Sequence, residues 1–173
     1  MTWRTRSSSF WLYWPDLSSC KGSHRDRLLN IIKRAWNWTL SRFFRRLADA
    51  HRHFGNLYSK REEYQAAVSN YTRAIHRDPT YADAYYSRGV LYWRELRSHQ
   101  LAIEDLTRVL ALEPSQADAY FNRALAYKME QDHARAIADF ERYLEEGTDE
   151  FWLDAARRQL AELRDETTDG FGT

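Results

Sequence analysis

The side chains from which a catalyst or a metal centre would have to be assembled are few: six histidines, one cysteine and some short acid runs. Zinc needs about four nitrogen, sulfur or carboxylate ligands converging on one point. His51 and His53 stand two apart, so on a helix they point to different sides, and His24, His76, His99 and His133 have no cysteine near them. No metal site follows. Cys20 sits among basic residues but lacks any neighbour that marks an activated nucleophile. As the single cysteine it rules out an internal disulfide framework and fits a reducing compartment. The acid pairs Glu62-Glu63, Glu104-Asp105 and Glu145-Glu146 fall at helix starts or on faces expected to be solvated. There is no phosphate loop, dinucleotide fingerprint or nucleophile elbow. The chain is therefore expected to be no enzyme and to need no cofactor. What it offers instead is the chemistry of contact, carried by aromatic and basic side chains.

The elements that must position those side chains declare themselves through a repeat. Tyr58, Tyr92 and Tyr127 recur at intervals of 34 and 35, as do Ala67, Ala102 and Ala136 at 35 and 34. Tyr71, Leu106 and Phe140 keep the same beat, and Pro79 and Pro114 close the first two units. A period of this length marks a solenoid, in which no unit buries its apolar face alone. Each unit predicts two helices. The first carries a small residue (Gly55, Gly89, Ala124) where the second passes close. The second starts near Gln65, Gln100 or Ala134. The extra residue of the second unit falls in the turn ELRSH, where an insertion is cheap.

This pattern resembles the tetratricopeptide repeat family. The matching residues are Gly55, Tyr58, Ala67, Tyr71, Ala74 and Pro79 in the first unit. In the second they are Tyr85, Gly89, Tyr92, Ala102 and Pro114, and in the third Tyr120, Ala124, Tyr127, Ala136 and Phe140. His51 departs from the pattern where a large aromatic is usual, and Thr148 replaces the third closing proline. The resemblance implies an all-α superhelix of three helix-turn-helix units over residues 48–150 (48–81, 82–116 and 117–150). A helix over 151–165, with Phe151, Trp152, Ala155, Ala156, Leu160 and Leu163 at helical spacing, is expected to cap the last unit. Residues 166–173 are expected to fray.

In that family arrangement the first helices line a groove. Its inward residues would be Asp49, Arg52, His53 and Asn56; then Asp83, Tyr86, Ser87, Val90 and Arg94; then Asp118, Phe121, Asn122, Leu125 and Met129. An apolar middle edged by acids suits an amphipathic helix or extended apolar peptide of a protein partner, with a basic residue at its rim. Some family members grip acidic carboxy-terminal tails with a two-carboxylate clamp. Here Arg52 and Asn56 match its first pair, but Ser87 stands where asparagine is wanted, and Asp118 and Asn122 replace two bases. A carboxylate would be repelled, so that clamp is not expected.

Charge is segregated along the chain although the net is +1. Residues 1–47 hold ten Lys/Arg against two Asp/Glu, 48–127 ten of each, and 128–173 six against thirteen. Such polarity favours polar partners for the ends, or head-to-tail contact between copies. Residues 1–25 read as a serine-rich arm with an aromatic cluster, Phe10 to Trp14, that includes Trp11 and Trp14. Its apolar run is too short and too soon broken by Pro15-Asp16 for a secretory signal or for lipoprotein cleavage at Leu17–Cys20. Phe10–Leu17 is tethered, and so is offered at high local concentration to its own groove. Residues 26–47 predict a basic amphipathic helix with Asp26 at its start and no acid from Leu28 to Leu47. Its apolar face packs on the repeats, meets an anionic membrane surface, or meets another chain. Trp36, Trp38 and Phe43, with Arg42, Arg45 and Arg46 as long-stemmed bases, are the anchor candidates. A nucleic-acid-associated role is the alternative that uses the basic charge, but it leaves so wide an apolar face unexplained, so nucleic acid is disfavoured as partner. The fold class alone does not decide between one continuous helix to about Tyr58 and a kink near Leu47–Asp49. No run of eighteen apolar residues exists, and the chain is expected in the cytoplasm, peripheral to a membrane where it meets one. A non-catalytic adaptor or assembly subunit is the expected function.

Overall fold

The computed structural model describes residues 22–169, without the side chains of 22–26, 28, 32, 34–41 and 167–169. Trp11, Trp14 and Cys20, the arm as an occupant of the groove, and the side chains of Trp36 and Trp38 lie outside the described residues. Among the described residues seven helices follow one another: α1 Gly22–Lys60, α2 Tyr64–Arg77, α3 Ala82–Arg94, α4 His99–Leu112, α5 Ala117–Met129, α6 His133–Glu146 and α7 Glu150–Asp169. No strand occurs among the described residues. The chain divides into two compact units at Arg42/Phe43. In the first, Arg27, Asn30, Ile31 and Lys33 of α1 are exposed. The cores, ion pairs and cavities described below belong to the second.

Two boundaries differ from expectation. α1 begins at Gly22, so Asp26 lies inside the helix instead of capping it, and α1 has no break at Leu47–Asp49. Nothing from Arg25 to Lys60 stops a helix except Gly55, which a helix interior tolerates at about 1 kcal/mol. At the other end α7 runs on to Asp169, because no glycine or proline follows Leu163 until Gly170.

Packing follows the repeat. Ala67, Ala74, Ala102, Ala119, Ala124, Ala126 and Ala136 are wholly buried at the helix crossings, where only a small side chain lets two backbones approach. At Gly55 a Cβ would stand 2.5 Å from the Tyr71 ring, so the first unit needs a hydrogen there. Each first-to-second helix turn places one exposed, non-glycine residue in the left-handed region: Glu62 (φ 63°), Arg97 (φ 49°) and Gln131 (φ 60°). The last core layer joins Phe121, Ala124, Phe140 and Tyr143 to Ala156, Leu160 and Leu163 of α7, which therefore covers the open end of the third unit.

One acid pair is not what its sequence suggested. Glu104 is exposed, but Asp105 is only 5% exposed and takes both Nε and Nη2 of Arg88 at 2.8 Å. Arg88 also donates to Thr72 of the preceding unit at 2.7 Å. One unit on, Arg123 grips Asp139 at 2.7 and 2.8 Å and reaches back to Thr107 at 3.0 Å. The guanidinium groups lie over Tyr85 and Tyr92, and over Tyr120 and Tyr127. The exposed-face pattern failed at Asp105 because a helix in a solenoid has neighbours on more than one side.

Candidate peptide-binding groove

Tyr86, Val90 and Arg94 fall one turn apart along α3, and Phe121 and Leu125 one turn apart along α5. They border two adjoining cavities. The first, of about 250 Å³, is walled by Asn56 and Ser59 of α1, Tyr71 of α2, and Tyr86, Ser87, Val90 and Arg94 of α3. The second, of about 330 Å³, shares Tyr86, Val90 and Arg94. It adds Trp93, Asp118, Phe121, Asn122, Leu125, Tyr143 and Trp152. Of the residues expected in the groove, Asp49, Arg52, His53, Asp83 and Met129 border neither cavity. Arg52 instead donates Nε to the Tyr81 hydroxyl at 2.6 Å, while Met129 projects outward, 52% exposed. Asn56 is engaged as well, accepting the Tyr71 hydroxyl proton at 2.7 Å.

Asn122 links two walls of the second cavity through its amide. Its Oδ1 accepts the Trp93 indole N–H at 3.1 Å, and its Nδ2 donates to the Tyr86 hydroxyl at 3.1 Å and to the Asp118 carbonyl at 2.7 Å. The amide's hydrogen bonds thus go largely to the protein, which fixes two rings of the wall. Phe121 meets Trp152 edge-on at 5.3 Å and leans on Tyr143 at 5.1 Å. Burial, then the carboxylate of Asp118, pushes the Tyr86 phenol up to about 12. Burial also raises Tyr143, with Asp118 and Asp149 adding to it. Both phenols therefore stay protonated, donors beside acids. Asp118 itself is exposed and has no ion pair among the described residues. Asp149 caps α7, accepting from the Phe151 N–H at 3.0 Å.

Trp93, Tyr143 and Trp152 were not foreseen: Trp93 lies on a first helix but outside its expected inward set, and no residue of α6 or α7 was expected to line the groove. Trp152 had a legible signal. Asp83–Tyr86, Asp118–Phe121 and Asp149–Trp152 share one spacing, so α7 enters the wall as a further first helix. Tyr143, from a second helix, had none.

Elsewhere, the anchor candidates Arg42, Phe43, Arg45 and Arg46 are all exposed, Phe43 by 62%. Arg45 lies over the Tyr81 ring. His99 pairs with Glu130 at 3.2 Å and His133 with Glu166 at 3.9 Å, tying second helices to the first helices that follow. Among the described residues no group of three His, Cys, Asp or Glu is arranged to hold a metal ion, and no helix is long and apolar enough to cross a membrane.

Two family models, described as TPR repeat and tetratricopeptide repeat, match residues 55–95 and 94–151. With this fold and these matches, the chain belongs to the tetratricopeptide repeat family. The first such domain of Spaghetti (RPAP3), solved with an HSP90 peptide of sequence SRMEEVD, is 27% identical with a TM-score of 0.66. The match covers 72% of this chain and 95% of that one. The first such domain of human RPAP3 is 28% identical, TM-score 0.63, over 71% of this chain and 94% of that one. MamA is 32% identical, TM-score 0.55, over 57% of this chain and 54% of MamA. Comparison with curated protein sequences gives no significant match.

Proposed function

We propose that this protein is an adaptor or assembly subunit whose face built from α3, α5 and α7 binds an apolar, aromatic-bearing segment of a partner protein. The observation that carries this is the second cavity, walled by five aromatic rings yet open to the surface, with Trp152 still 46% exposed. Exposed aromatic clusters with satisfied polar groups around them are what anchors dock against. A related domain bound to a peptide supports the same use of the fold. Burying one large apolar anchor in such a site contributes about 2 kcal/mol before the costs of association.

Selection of random displayed peptides on the full chain tests it. Sequences with two large apolar residues should be enriched, and Val90→Glu with Leu125→Glu should lower their recovery at least about tenfold while circular dichroism still reports a folded helical chain. Recovered peptides that ignore both substitutions would sink the proposal.

A second part concerns residues 26–47, proposed as the segment that attaches the protein to an anionic membrane surface or a larger complex. It is favoured by the exposure of Phe43 beside the exposed Arg42, Arg45 and Arg46. Aromatic and basic side chains together are what an interfacial helix requires.

A further inference from the structure

The acids around the second cavity say more about its occupant. Asp118 borders the cavity and makes no ion pair among the described residues. Asp149 stands at the head of α7, three residues before Trp152, as Asp118 stands three before Phe121. Burial first, and then both carboxylates, raise the phenol of Tyr143, which walls the cavity. Neither base of a carboxylate-binding clamp is present at this end, and Asn122, which holds one of those positions, has its amide engaged by Trp93, Tyr86 and Asp118. The one base bordering the cavity, Arg94, is the last residue of α3, whereas Asp118 is the second residue of α5.

Resting on the groove reading above, we infer that the bound segment carries a lysine or arginine whose stem lies against the rings of Tyr86, Phe121 and Trp152 and whose charge meets Asp118. The cavity suits such a side chain in both its parts. An aliphatic stem packs on aromatic faces while the charged head stays near water and a carboxylate. The Asp118 carboxylate, without an ion pair among the described residues, attracts a cation and repels an acidic tail, which sets specificity more than affinity. A neutral or acidic neighbour in the peptide fits at the Arg94 end, so the segment has a direction. The groove is thus opposite in charge preference to a domain that holds SRMEEVD.

The full chain would be titrated with blocked heptapeptides of sequence Gly-Phe-Leu-Xaa-Leu-Phe-Gly, in which Xaa is lysine, norleucine or glutamate, and with SRMEEVD. Calorimetry would give the affinity, and the indole signals of Trp93 and Trp152 the location. The lysine peptide should bind tightest and the glutamate peptide at least about tenfold weaker. Asp118→Asn should remove most of that difference, and Asp149→Asn, which keeps the helix cap, part of it. Norleucine binding as well as lysine, with the lysine peptide indifferent to Asp118→Asn, overturns the cation and leaves the groove standing. Tighter binding of SRMEEVD than of the lysine peptide overturns it too. If no peptide moves either indole signal, the groove reading falls and the cation with it.

Discussion

Arg88 and Arg123 show how a single residue joins units of the repeat. Each guanidinium spends two donors on a buried aspartate of its own unit and one on a threonine of the unit before. Burial pushes the Asp105 carboxyl up while Arg88 pulls it down. Such a pair is costly to break and of small net value when intact, because two desolvated charges offset much of their own attraction. Asp105→Ala should therefore destabilise the protein by about 3 kcal/mol in urea unfolding, since it strands a buried guanidinium. Arg88→Met with Asp105→Leu should recover most of that loss. A double variant as unstable as the single one would mean that the link to Thr72 matters more than the charges. The recurrence of Arg88 and Arg123, and of Asp105 and Asp139, was legible in the sequence. Their burial was not, because an acid next to Glu104 on one helix carries no mark of what packs over it.

At the scale of the element, the three turns between first and second helices repeat one conformation with three different residues. A left-handed backbone costs a residue with a Cβ about 1–2 kcal/mol, and glycine largely escapes that cost while losing some entropy in the unfolded chain. Glu62, Arg97 and Gln131 are all exposed, so their side chains offer little in return. Replacing each by glycine should raise stability by about 0.5–1 kcal/mol, and the three should add, since they lie in separate turns. Thermal unfolding of the single and triple variants checks it; a loss of stability at any one would show that its side chain is holding the turn. The helices themselves were legible from the tyrosine and alanine beat. The start of α1 and the end of α7 were not, because helix ends depend on stop signals, and here the chain has few. Trp152 belongs to the same lesson. As a capping residue it was expected to cover the third unit, and it also walls the cavity, because a capping helix occupies the place of a next first helix.

For the whole molecule, the question is what the segment 26–47 does beside a repeat array that has its own core. If it attaches the protein to an anionic surface, the full chain should pellet with vesicles rich in phosphatidylserine and not with neutral ones. Each exposed base near the surface contributes about 1 kcal/mol. A chain beginning at Leu47, and the variant Trp36→Ala with Phe43→Ala, should each lose at least about tenfold in partitioning. Equal partitioning of all three would assign the segment to a protein complex instead.

What the sequence determined by itself was whatever depends on period: an all-α solenoid of paired helices, and the small residues at the crossings. Periodicity is a one-dimensional record of which side chains face a neighbour, so it can be read from the chain. What only the tertiary structure decided was which of those residues meet. It turned Arg52 and Asn56 inward to Tyr81 and Tyr71, and it buried Asp105. It also brought Trp93, Tyr143 and Trp152 from three different helices around one cavity at Asp118. Those meetings depend on distances between helices, set by the packing of alanines and glycine at the crossings, and of them only the place of Trp152 shows in a spacing along the chain.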